Sequence, residues 1–162
     1  MQPLLVRDLM TSPVITIWPH TRLPTIKRIM CEQGIHRLPV IDRERLVGIV
    51  TLGDLRNAYP SDIPTLNDRV VPRLDDICAE LLMRTNVITT TPEATLTTAS
   101  DLLLRHKVSG LPVIDRDRLV GIITKSDLCR AVLDGKLTAL PPQPVSRHIA
   151  IRSSWRRTLS TG

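Results

Sequence analysis

The chain has 162 residues, of which 42% are apolar and 23% charged, enough to fill one soluble, domain-sized core. Aromatic residues are 2% and Phe is absent, so the core must be aliphatic and the rings on which single-stranded nucleic acid stacks are scarce. The net charge is +6, but Asp134 against Lys136, Arg147, Arg152, Arg156 and Arg157 leaves +4 of it from Val132 onward and a nearly neutral body.

The start, Met1 to Asp8, lacks the charged region, apolar stretch and cleavage site of a signal peptide. No segment reaches the roughly 18 apolar residues of a membrane span, and membrane association is not expected. Val14-Ile15-Thr16-Ile17 is short and β-branched, which predicts a strand ended by Pro19. Leu23, Ile26, Ile29 and Met30 then recur at helical spacing, with Pro24 in the first turn and Gly34 where a C-cap would stop the helix. Cys31 within it reads as a small core residue. Leu38 to Ile41 and Leu46 to Val50 predict two strands joined by a tight charged turn at Arg43-Glu44-Arg45, and a helix follows Thr51. Tyr59 to Asp76, with prolines and charges, reads as a connector.

The pattern then starts again. Leu38-Pro39-Val40-Ile41-Asp42-Arg43 recurs as Leu111-Pro112-Val113-Ile114-Asp115-Arg116, a shift of 73 that aligns Val6–Ala58 with Ala79–Ala131 without a gap. Roughly two in five paired positions are identical, the mark of an internal repeat. The expected fold class is α/β (α+β): two β-α-β-β-α units packed with pseudo-twofold symmetry, since one unit alone cannot bury its sheet and helix faces. The expected organisation is repeat one over 1–58, the connector over 59–76, repeat two over 77–131, and a basic Pro- and Arg-rich tail over 132–162. The tail reads as a solvated end dispensable for folding, with Val145 to Ile151 able to form a short docking strand. Cys31, Cys78 and Cys129 stand far apart and read as free thiols in a reducing cytoplasm.

The motif that bears chemistry is Gly48-Ile49-Val50-Thr51-Leu52-Gly53-Asp54, repeated as Gly121-Ile122-Ile123-Thr124-Lys125-Ser126-Asp127. Thr-x-x-Asp after a strand is close to a helix capping box. The same groups suit a ligand: free N–H groups at a helix start hold phosphate, the Thr hydroxyl can donate, and a carboxylate accepts both hydrogens of a ribose diol. No catalytic constellation is present in the sequence: His20, His36, His106 and His148 are scattered, and there is no G-x-S-x-G or P-loop.

The tandem layout, the L-P-V-I-D strand and the paired G-x-x-T-x-x-D motifs resemble cystathionine-β-synthase (CBS) domains, two of which form a Bateman module. The resemblance covers about residues 4–131. It implies a non-enzymatic regulatory module that binds AMP, ADP, ATP or S-adenosylmethionine in clefts between the repeats, requires no cofactor, and pairs into a homodimer. It places Thr51 and Asp54 in a first cleft, with His36 and Arg37 near the phosphates, and Thr124, Lys125 and Asp127 in a second, with Ser109 and Gly110 in the matching positions. Ser12 and Thr85, in the segments before the first strands, would face the adenine edge, and Ile35 and Val108 its flat face. On charge, the first cleft ranks above the second. The alternatives are a structural dimerisation module with empty clefts and, less favoured, a nucleic-acid binder acting through the tail. The regulated protein partner is not readable.

Overall fold

The computed structural model describes residues 3–58 and 74–136. Most of the connector and nearly all of the tail, with the expected docking strand at Val145 to Ile151 and the expected dispensability of 141–162, lie outside the described residues. A 3-10 turn at Val6–Asp8 is followed by α1 (Leu23–Gln33), β1 (Arg37–Asp42), β2 (Arg45–Thr51) and α2 (Leu52–Ala58). A second 3-10 turn at Leu74–Asp76 leads to α3 (Ala79–Leu82), α4 (Leu96–Arg105), β3 (Gly110–Asp115), β4 (Arg118–Thr124) and α5 (Lys125–Leu133).

The helical spacing predicted from the aliphatic residues holds. Leu23, Ile26 and Met30 of α1 are buried, as are Leu96, Ala99 and Leu103 of α4. Gly34 ends α1 in the left-handed region at φ 62, and Lys107, its partner in the repeat, takes φ 52 without the freedom of glycine. β1 pairs antiparallel with β2 and β3 with β4, each with an irregularity after the central valine, Val40 or Val113. Arg43 and Glu44 turn the first hairpin with positive φ at both positions, and Arg116 and Asp117 do the same in the second, the dihedral pattern of a tight primed turn. Cys31 faces solvent on α1, so its position in the helix does not put it in the core.

The predicted first strand of each repeat is a single rung. Ile17 N–H donates to the Pro39 carbonyl at 3.0 Å and Ile41 N–H to the Ile17 carbonyl at 2.9 Å, one parallel bridge opposite Val40. The next rung toward Ile15 would need an N–H from Pro39, and the next in the other direction an N–H from Pro19; neither exists. Thr90 makes the same single bridge to Val113, bounded in the same way by Pro112 and Pro92.

The two aliphatic cores are exchanged between the repeats. One joins α1, β1, β2 and α2 to Ile77, Ala79, Leu82 and Met83 from the start of the second repeat. The other joins α4, β3 and β4 to Leu4, Val6, Leu9 and Met10 from the start of the first. Each lead-in also adds an antiparallel bridge to the far sheet, Arg84 on Ile49 and Thr11 on Ile122. Glycine makes room for this crossing: a Cβ on Gly48 would lie 2.5 Å from Sδ of Met83, and one on Gly121 would collide with Sδ of Met10. The repeat seen in the sequence and the unit that buries a core are therefore offset by the lead-in.

Candidate ligand-binding site

The exchange of lead-ins opens two clefts between the repeats, each walled by both. The first, of about 730 Å³, brings Thr51 and Gly53 of the first motif against Arg84 and Asn86 to Ile88 of the lead-in and His106 to Gly110 before β3. The second, of about 510 Å³, brings Thr124 and Asp127 against Thr11, Pro13 to Ile15 and Gln33 to Arg37. Both volumes fall within the range of small-ligand sites.

The two Thr-x-x-Asp motifs cap their helices almost identically. Thr124 N–H donates to Oδ2 of Asp127 at 2.8 Å and its hydroxyl to the same oxygen at 2.6 Å. Thr51 makes the matching bonds to Oδ2 of Asp54 at 2.8 and 2.5 Å. In return each Asp N–H reaches the Thr hydroxyl at 3.4 Å. The capping reading of the sequence is thus realised in both copies, and one carboxylate oxygen in each is left over.

The fate of that second oxygen differs. Oδ1 of Asp54 receives Nε and Nη2 of Arg84, both at 3.3 Å, and the Asp54 side chain is 9% exposed. Asp54 is thereby withdrawn from the lining of the first cleft. Asp127 borders the second cleft, and among the described residues no side chain donates to its Oδ1. The 73-residue shift replaces Arg84 by Thr11 there, a side chain without charge or comparable reach.

His36 and Arg37 border the first cleft, where they are expected, and the second as well. Arg37 Nη2 donates to the Ser109 hydroxyl at 2.5 Å, and its guanidinium lies against the backbone of Gly110, where a Cβ would collide with it. Burial lowers the pKa of this guanidinium from its ordinary value, while the nearby charge of Asp127 opposes that effect. An arginine remains cationic under such a shift. Ser109 and Gly110, expected in the second cleft, line the first together with Val108 and Lys125; Ile35 lines the second. The apolar residue near each motif therefore comes from the opposite repeat. Ser12 and Thr85 border separate shallower recesses, Ser12 beside Glu44 and Arg118, and Thr85 beside Arg45 and Asp117. Their neighbours Pro13 and Asn86 stand in the clefts instead.

Sequence reasoning assigned no role to the side chains of Arg84, Lys107 and Arg130. Arg84, Lys107, Arg37 and Lys125 give the first cleft four permanent cations and no carboxylate on its wall. The second has Arg37 and Arg130 against Asp127. No group of three or more metal-ligating side chains occurs among the described residues, and none of their helices is long and apolar enough to cross a membrane.

A family profile for the CBS domain matches residues 6–61 and 76–134. A CBS domain-containing protein of Dictyostelium discoideum is 34% identical over 142 residues, covering 86% of this chain and 97% of its own length. A homoserine O-acetyltransferase of Methanosphaerula palustris is 32% identical over 79% of this chain, which spans only 24% of that relative's length. Among solved structures, a CBS domain pair in complex with 5′-methylthioadenosine and S-adenosyl-L-methionine has a TM-score of 0.69 and 28% identity, covering 84% of this chain and 100% of its own. CBSX2 in complex with AMP gives a TM-score of 0.69 and 29% identity over 82% of this chain and 98% of its own.

Proposed function

The chain belongs to the CBS domain family, and from that premise we propose that it is a regulatory module that senses an adenosyl ligand (AMP, ADP, ATP or S-adenosylmethionine) and catalyses no reaction itself. The observation that carries this reading is the crosswise build of the clefts. A Thr-x-x-Asp motif from one repeat faces the lead-in and an apolar residue of the other, and in the second cleft Oδ1 of Asp127 is left to accept a ribose hydroxyl. Ile35 or Val108 would lie against the base, and Arg37 with His36 would add charge for a phosphate from the shared wall. Ligands of this class in two related CBS structures support the reading. We place repeat one at 1–58 and repeat two at 77–131, and the module in the cytoplasm.

The test is a thermal shift with AMP, ADP, ATP and S-adenosylmethionine. A ligand at a hundred times its Kd adds about 2.7 kcal/mol to the folded state, which raises Tm by roughly 5–10 °C for a domain of this size. No shift with any of the four would reject the reading.

The same module is proposed to act as a homodimer. Leu104 on α4 and Val132 and Leu133 on α5 are 70, 47 and 87% exposed, apolar surface on neighbouring helices that a second copy would cover. Light scattering should give twice the chain mass of 18.1 kDa; the single-chain mass at micromolar concentration would exclude it.

A further inference from the structure

Building on the reading of the clefts as adenosyl sites, we infer that Arg84 is a charge gate that makes ribose recognition in the first cleft conditional on a phosphate. The two motifs carry nearly the same capped carboxylate. Oδ2 of Asp54 and Oδ2 of Asp127 are both spent on the Thr cap. The oxygen left for a ribose hydroxyl is Oδ1, and on Asp54 alone it is already taken, by Nε and Nη2 of Arg84. The difference comes from the lead-ins. Arg84 and Thr11 hold equivalent backbone positions: Arg84 exchanges two backbone hydrogen bonds of 3.0 Å with Ile49, and Thr11 exchanges bonds of 2.9 and 3.1 Å with Ile122. A fixed backbone therefore delivers a guanidinium to Asp54 and a short hydroxyl to the second cleft.

The gate can open because only its anchor is fixed. The Arg84 side chain is 71% exposed, so it can leave the carboxylate without moving the sheet. A ribose diol is neutral and gives the displaced guanidinium no new counter-charge. A phosphate does, and it would bind among Arg84, Lys107 and Lys125 on a wall that has no carboxylate. A phosphorylated ligand thus draws Arg84 from Asp54 and frees Oδ1 in the same step. A phosphate-free adenosyl ligand must break the ion pair without compensation. The second cleft has no such condition. It accepts phosphate-free ligands, and the first discriminates against them.

The experiment isolates the first cleft with Asp127→Ala and compares ATP with adenosine by calorimetry, with and without Arg84→Met, which removes the charge and keeps the bulk. Because the Arg84 side of the ion pair is largely exposed, its removal should tighten adenosine by up to about fivefold. It should weaken ATP by a similar factor. Circular dichroism confirms that each variant is folded. Unchanged or equally weakened affinities for both ligands on Arg84→Met, with ATP bound to the Asp127→Ala protein, would overturn the gate alone. Failure of wild type to bind either ligand would overturn the adenosyl reading and the gate with it. The conservative Arg84→Lys should keep the preference for ATP, and its loss there would also contradict a gate that acts through charge.

Discussion

The first and second clefts are cut from one repeated pattern, yet they offer a ligand different chemistry. Both have the strand-ending Thr, the Asp three residues on and the same cap. What separates them lies outside the motif. Arg84 stands where the other cleft has Thr11, and Lys107 where it has Gly34. One cleft is a cationic trough with its carboxylate covered; the other is smaller, with its carboxylate on the wall. Conserving a cap conserves the helix start. The selectivity of each site is set by the segments that cross over from the opposite repeat.

Arg37 is the residue on which this contrast can be broken. It borders both clefts from a half-buried position on β1, so its loss should be felt in both. Arg37→Ala should weaken AMP and ATP by about tenfold, the scale of one charge-assisted hydrogen bond, and leave adenosine nearly unaffected. Calorimetry that found the loss confined to one cleft would separate the two walls that Arg37 joins here. A smaller effect is expected from Ser109→Ala. The Ser109 hydroxyl receives Nη2 of Arg37 at 2.5 Å, and its removal should cost about 1 kcal/mol in urea denaturation while leaving the helix caps intact. No change in the denaturation midpoint would mean that Arg37 finds water or the second cleft as readily as Ser109.

The helices, the hairpins and the cap were legible because they rest on local signals. Leu23, Ile26 and Met30 announce a buried helix face, Gly34 its end, and Thr124 with Asp127 the start of α5. The first strand is not legible in this way, because Val14 to Ile17 has strand composition while its length is decided by donors on the neighbouring segments. Pro19 and Pro39 are in the sequence, but they limit the bridge only once Ile17 is known to lie beside Val40. Which residues line which cleft is not legible in the sequence for a related reason. A repeat alignment groups Ile35, His36 and Arg37 with Thr51, whereas the chain sends each lead-in to the other sheet. Met83 over Gly48 and Met10 over Gly121 record that exchange. Nothing local to a methionine or a glycine announces it. Arg84 could have been singled out, since the shift of 73 sets it against a neutral Thr11, but its target Asp54 emerges only from the fold.

The central claim is that an adenosyl ligand places its ribose on a capping aspartate, most accessibly on Asp127. The direct measurement is calorimetric titration of AMP and S-adenosylmethionine into wild type, Asp127→Ala and Asp54→Ala. Loss of the hydrogen bond to Oδ1 of Asp127 should weaken S-adenosylmethionine by about tenfold or more in Asp127→Ala. Asp54→Ala should leave its affinity close to wild type, because Arg84 already occupies that carboxylate. Each variant should lose only about 1 kcal/mol of stability, the cost of a cap. No heat from either ligand with wild type, or equal heats with wild type and Asp127→Ala, would contradict the account.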